Sequence, residues 1–135
     1  MIYVEGGSKA QRRYAYSIAD FVCNKFNINP DVEISFRRMT NDRSLGGCIR
    51  VDSNEYEIDI KRSLRLREML ITLAHELVHV KQYWRKELCG DGGWTWKGKD
   101  AKNYSYYNQP WEKEAYGRED KLFNECFDFD ARFTN

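Results

Sequence analysis

His75-Glu76-Leu77-Val78-His79 lies within a long helical run, and the rest of the chain is read outward from it. Histidines four residues apart stack on one face of an α-helix, close enough for both imidazoles to reach a single ion. Glu76 follows His75 by about 100° around the helix, beside the place of a water completing the coordination sphere. The chain holds 2 histidines, and both stand in this stretch. The spacing predicts a helix capped by Ser63 and reaching about Lys86. Leu66, Leu70, Leu73, Ala74, Leu77 and Trp84 gather on one side to pack on a sheet. His75, Glu76 and His79 lie roughly opposite, with Thr72 and Glu68 along the same flank. A helix anchored by one face and chemically active on the other is expected.

Upstream, Ser8 caps a predicted helix to about Phe26, with Tyr14, Ile18, Phe21, Val22 and Phe26 at helical spacing. Asn29-Pro30 closes it. Val32, Ile34 and Phe36 alternate with polar residues, a strand signal, and Asn41-Asp42-Arg43-Ser44 reads as a turn. Gly47 to Val51 and Tyr56 to Ile60 form a predicted hairpin through Asp52-Ser53-Asn54-Glu55. Downstream, Cys89-Gly90-Asp91-Gly92-Gly93 breaks the chain, and Trp94 and Trp96 alternate as in a short strand or hairpin arm. Tyr104, Tyr106 and Tyr107 follow. Pro110 suits the first turn of a last helix to about Phe133, striped by Trp111, Ala115, Leu122, Cys126, Phe129 and Phe133. The expected class is α+β, a single domain over 1–135. It has an N-terminal helix, a small mainly antiparallel three-stranded sheet, the histidine helix and a C-terminal helix.

Composition narrows the function classes. A hydrophobic content of 41% with 15% aromatics argues for a folded globule. Net charge is +1, so no bulk field draws the chain to nucleic acid or membrane. Arg12-Arg13, Arg37-Arg38 and the Lys61-Arg62, Arg65, Arg67 group are local basic clusters interspersed with acids, better explained as solvated faces. No run approaches a transmembrane span, and Met1 to Glu5 does not open a signal peptide. Cys23, Cys48, Cys89 and Cys126 are far apart and read as reduced thiols, hence a cytoplasmic protein.

A catalytic zinc takes three protein ligands and a water. With no histidine left, the third is Glu, Asp or Cys from downstream. Trp111-Glu112-Lys113-Glu114-Ala115 is the place to look, and helical periodicity does not separate its two glutamates. Glu112 is accounted for in the first turn, facing the positive end of the helix dipole. Glu114 precedes Ala115, whose small side chain lets two helices approach. Glu114 also stands four residues before Arg118, the spacing of a helical ion pair. Cys89 is a further alternative. Glu114 is the expected ligand, with Glu112 the fallback.

His75-Glu76-x-x-His79 followed by Glu114-Ala115 on a later helix resembles the gluzincin metallopeptidases, in which a Glu-Ala pair supplies the third ligand. The short chain and its element order resemble the small cytoplasmic zincins: minigluzincins, ImmA/IrrE-type peptidases and, more distantly, SprT-like ones. SprT-like proteins usually close the site with a histidine. Tyr107-x-x-Pro110-Trp111-Glu112-x-Glu114-Ala115 is also similar to small metallopeptidases of phage and prophage origin. The similarity covers about 50 residues, from Leu70 to Glu119. It implies a zincin-like fold and a zinc-dependent hydrolase in the cytoplasm of a bacterial or phage-infected cell, acting on a peptide or protein as a monomer; the alternative is a zinc-binding protein of the same fold used for interaction or for hydrolysing a non-peptide amide. Zn2+ would be held by His75, His79 and Glu114, and Glu76 would be the general base. Tyr107, with Tyr106 and Tyr116 as other candidates, would steady the oxyanion. Zincins pair an extended substrate with the sheet's edge strand, here one strand of the hairpin before the helix. Trp94 and Trp96 would line the cleft or pack in a satellite core.

Overall fold

The structure, a computed structural model, describes residues 1–39, 44–90, 92–128 and 133. Its elements run β1 (Ile2–Glu5), α1 (Lys9–Phe26), β2 (Asp31–Arg37), β3 (Gly46–Asp52), β4 (Glu55–Lys61) and α2 (Leu66–Trp84). After these come β5 (Leu88–Cys89), β6 (Thr95–Trp96), β7 (Lys99–Asp100), a 3-10 turn at Tyr106–Asn108 and α3 (Pro110–Phe127). The α+β class is as expected.

α1 begins where Ser8 and Gln11 form a reciprocal capping box, and ends at Asn27, whose φ of 55° reverses the chain. Pro110 opens α3 as its sequence position suggests. α2 starts later than predicted: Arg65 occupies the cap without a side-chain hydrogen bond, so Ser63 does not cap it. α3 ends at Phe127, short of the predicted Phe133. Phe129 lies outside the described residues, as do 41–43 of the predicted turn. Phe133 sits past the helix with its ring against Tyr14 and Phe123.

The main sheet corrects the expected three-stranded, mainly antiparallel one. It has four strands in the order β1-β2-β4-β3, with β1–β2 and β2–β4 parallel. Only β3–β4, the predicted hairpin, is antiparallel. The added strand, β1, pairs Ile2 with Val32 and Val4 with Ile34. One face carries Val32, Ile34, Phe36, Tyr56, Ile58 and Ile60, all buried. α1 and α2 cover that face, and α3 packs across α2.

α2 is therefore buried on more than the sheet side. Met69, Leu70, Leu73, Ala74, Leu77, Val78 and Val80 join the core, and His75, Glu76, His79, Lys81 and Gln82 are buried as well. The expected helix with one open face is replaced by a central helix whose polar stripe is roofed by α3. β5, β6 and β7 form a small antiparallel sheet, which matches the hairpin read from Trp94 and Trp96. Leu88, Ala101 and Trp111 make a satellite core beneath it.

Candidate metal centre

The polar stripe of α2 meets the first turn of α3. Glu112 Oε1 lies 2.9 Å from His75 Nε2 and 3.2 Å from His79 Nε2. One donor atom from each of the three residues lies within 4.8 Å of the other two. Ligands bonded at about 2.0–2.2 Å to a tetrahedral ion are spaced about 3.4 Å apart, so this donor set fits one divalent cation.

Electrostatics point the same way. Burial disfavours charge on His75, but the hydrogen bond to Glu112, with the nearby carboxylates of Glu119 and Glu76, raises its pKa to about 9. His79 is raised for similar reasons, its burial outweighed mainly by Glu112. Glu112 is lowered to about 2, because the two imidazoles overcome the penalty of burial. Two imidazoles share one carboxylate oxygen, an arrangement that favours positive charge between them, whether protons on the rings or a cation.

Outer contacts aim the rings. His79 Nδ1 lies 2.8 Å from Gln82 Oε1, and His75 Nδ1 is 3.7 Å from Glu119 Oε1. Such partners on the far ring nitrogen leave Nε2 to face the ion. The two imidazoles sit 5.0 Å apart, and Tyr116 stands edge-on to His75 at 4.5 Å.

Glu76 is buried beside the triad. Burial raises its pKa against the opposing pull of both histidines. It lines both of two adjoining cavities. One, of about 520 Å3, is walled by Trp94, Tyr104, Tyr106 and Trp111 on one side and by Gly46 to Cys48 of β3 on the other. The second, of about 350 Å3, runs past Thr72, Tyr116 and Glu119. His75 and Glu76 thus stand where the two cavities adjoin, beside β3, one of the two edge strands of the main sheet. At Gly46 a Cβ would lie 3.0 Å from Thr72 Cγ2, so glycine lets the edge strand close on α2.

Glu114, the expected third ligand, is elsewhere. Its Oε2 takes Lys81 Nζ at 2.6 Å and Arg118 Nε at 3.0 Å, and its Oε1 takes Gln82 Nε2 at 2.9 Å. The fallback, Glu112, occupies the position, and Glu114 instead makes the i,i+4 ion pair with Arg118 that its spacing offered as the alternative. Cys89 is not with the triad either; its thiol faces the Lys86 carbonyl. Tyr107 is 86% exposed and forms no part of either cavity wall. Tyr106 lines both cavities, its hydroxyl 3.1 Å from that of Tyr116. Gln82 and Glu119 have no place in the sequence-based site. The i,i+3 spacing from His79 is the signal that would find Gln82.

All four cysteines are free thiols, and among the described residues no helix is long and apolar enough to cross a membrane. Comparison with family models, with curated proteins and with solved structures finds no match, so the centre is described by its own geometry: buried His75 and His79 with half-buried Glu112, a group able to hold a metal ion.

Proposed function

We propose that the protein is a zinc-dependent metallopeptidase of zincin-like architecture, a small gluzincin whose third ligand is Glu112. The observation that carries this reading is the convergence of His75, His79 and Glu112 with Glu76 buried alongside. Two imidazoles and one carboxylate, with a position left for water, are the donor set of hydrolytic zinc sites. A bound zinc ion would supply Lewis acidity and would make water a competent nucleophile near neutral pH.

The remaining work falls to the chain. Glu76 accepts the proton of the attacking water on its carboxylate and passes it to the leaving amine. The free edge of β3 pairs with an extended peptide, setting the scissile bond beside Glu76. The Tyr106 phenol donates to the developing oxyanion, the part expected from sequence of Tyr107. Trp94, Tyr104 and Trp111 form an aromatic wall for a substrate side chain. A cytoplasmic monomer fits the four free thiols.

Metal analysis of protein purified without added metal should find about one zinc per chain. Glu76→Gln should keep that zinc and lose peptide hydrolysis by on the order of 10²-fold or more. Unchanged turnover would remove the peptidase mechanism. Stoichiometric zinc without hydrolysis of any peptide by the native protein would leave a zinc-binding protein with another task.

A further inference from the structure

Gln82 is fully buried on α2, and each end of its amide is committed. Nε2 donates to the Trp111 carbonyl at 2.9 Å and to Glu114 Oε1 at 2.9 Å. Oε1 is left as the acceptor, 2.8 Å from His79 Nδ1. Flipping the amide would set its oxygen against a carboxylate and a carbonyl, so its orientation has one solution. His79 must then donate from Nδ1, which reserves Nε2 for the ion.

The two Nε2 bonds do different things. The Trp111 carbonyl belongs to the residue before Glu112, so this bond fixes the main chain that carries the third donor. The Glu114 bond fixes the amide, and Glu114 is itself pinned by Lys81 and Arg118. We infer that Gln82 is the positioning residue of the metal centre. One side chain aligns two of its three donors, on two different helices, and Glu114 acts one step behind Gln82. The inference rests on the metal-centre reading above. It also gives Glu114 a role at the site without making it a ligand.

The test uses the full chain in four forms: native, Gln82→Leu, Gln82→Glu, and Gln82→Glu with Glu114→Gln. Zinc affinity is read by competition with a chromophoric chelator, and donor geometry by the visible spectrum of the cobalt-substituted protein. Circular dichroism of each metal-free form reports the fold. Gln82→Leu should weaken zinc by about 10–100-fold, the usual cost of losing an outer-shell partner, and should shift the cobalt bands. Gln82→Glu sets two carboxylates face to face and should also bind weakly. The double variant exchanges the two groups, so that an amide at position 114 donates to a carboxylate at position 82. That carboxylate still accepts from His79 Nδ1. Affinity should then recover above that of Gln82→Glu, while staying below native because the Trp111 carbonyl has lost its donor.

Native affinity and an unchanged cobalt spectrum in Gln82→Leu would overturn the inference. If that variant does not fold, equal affinities of Gln82→Glu and the double variant overturn it instead. A native protein that binds neither zinc nor cobalt would sink the metal-centre reading itself, and the positioning role with it.

Discussion

Two ionic clusters lie along the contact between α2 and α3, and they are built on opposite principles. In the Lys81–Glu114–Arg118 cluster, cations meet a carboxylate, and Lys81 Nζ also lies 2.8 Å from Glu87 Oε1. Burial would raise the pKa of Glu114, but Lys81 and Gln82 hold it below the usual range. In the His75–His79–Glu112 cluster, one carboxylate oxygen serves two imidazoles, and the neighbouring Glu76 and Glu119 add more acidic groups. The first cluster is complete with protein charges alone. The second gathers three donor atoms whose natural partner is a cation, and protons serve when none is bound. Two glutamates two residues apart thus have different jobs, decided by what faces them across the helix contact.

The sharpest way to break this contrast is to remove each carboxylate in turn. Glu112→Gln should cost more zinc affinity than the roughly 10–100-fold typical of outer-shell changes. Glu114→Gln should cost less than about 10-fold and act mainly by lowering thermal stability, since the buried Lys81 loses a charge partner. Chelator competition and a thermal melt on both variants measure this. The reverse ranking would restore the Glu-Ala assignment.

Next in size is metal removal. A bound ion would tie α3 to α2, so a strong chelator should lower the melting temperature of the native protein. At a metal concentration about 100 times Kd the lost stabilisation is about 2.7 kcal/mol, several degrees for a chain of this length. The same chelator should barely move the melt of Glu112→Gln. Equal shifts in the two proteins would show that the ion sits elsewhere.

The smallest effect is on pH. In the metal-free protein His75 has a folded pKa of about 9 against an ordinary 6.5. Its contribution to stability is full below about 6.5 and is lost as pH rises through about 9. Glu112 has the opposite sign: lowered from 4.5 to about 2, it stabilises above 4.5 and that contribution is lost as pH falls through about 2. Melts of chelated protein from about pH 6 to about pH 10 should therefore decline on the alkaline side. With metal in place of the protons that decline should vanish. An alkaline limb unaffected by metal would assign it to other groups.

How much of this is legible in the chain depends on how local each signal is. The capping box at Ser8, the proline opening α3 and the i,i+4 histidines are decided within a few residues, and each is readable. The pairing of β2 with β4 is not, because Val32, Ile34 and Phe36 alternate identically for a parallel or an antiparallel neighbour. β1 escapes notice because four residues at the chain start give only Ile2 and Val4 as a pattern. The burial of α2 on its polar side follows from α3 lying across it, a tertiary fact. The choice between Glu112 and Glu114 has the same origin. Periodicity places both beside the apolar stripe, and only the positions of His75, His79, Lys81 and Gln82 opposite them separate ligand from strut.

Trp111 connects these threads to something observable. Its carbonyl is bonded to Gln82, its chain neighbour is Glu112, and its ring is stacked with that of Trp94 at 6.3 Å and 20°. Trp96 lies 6.2 Å away on another side. Three of the chain's four indoles are therefore grouped next to one of the three donors. The molecule carries its own optical gauge: occupancy of the centre is expected to register as a change in tryptophan emission, without label or substrate.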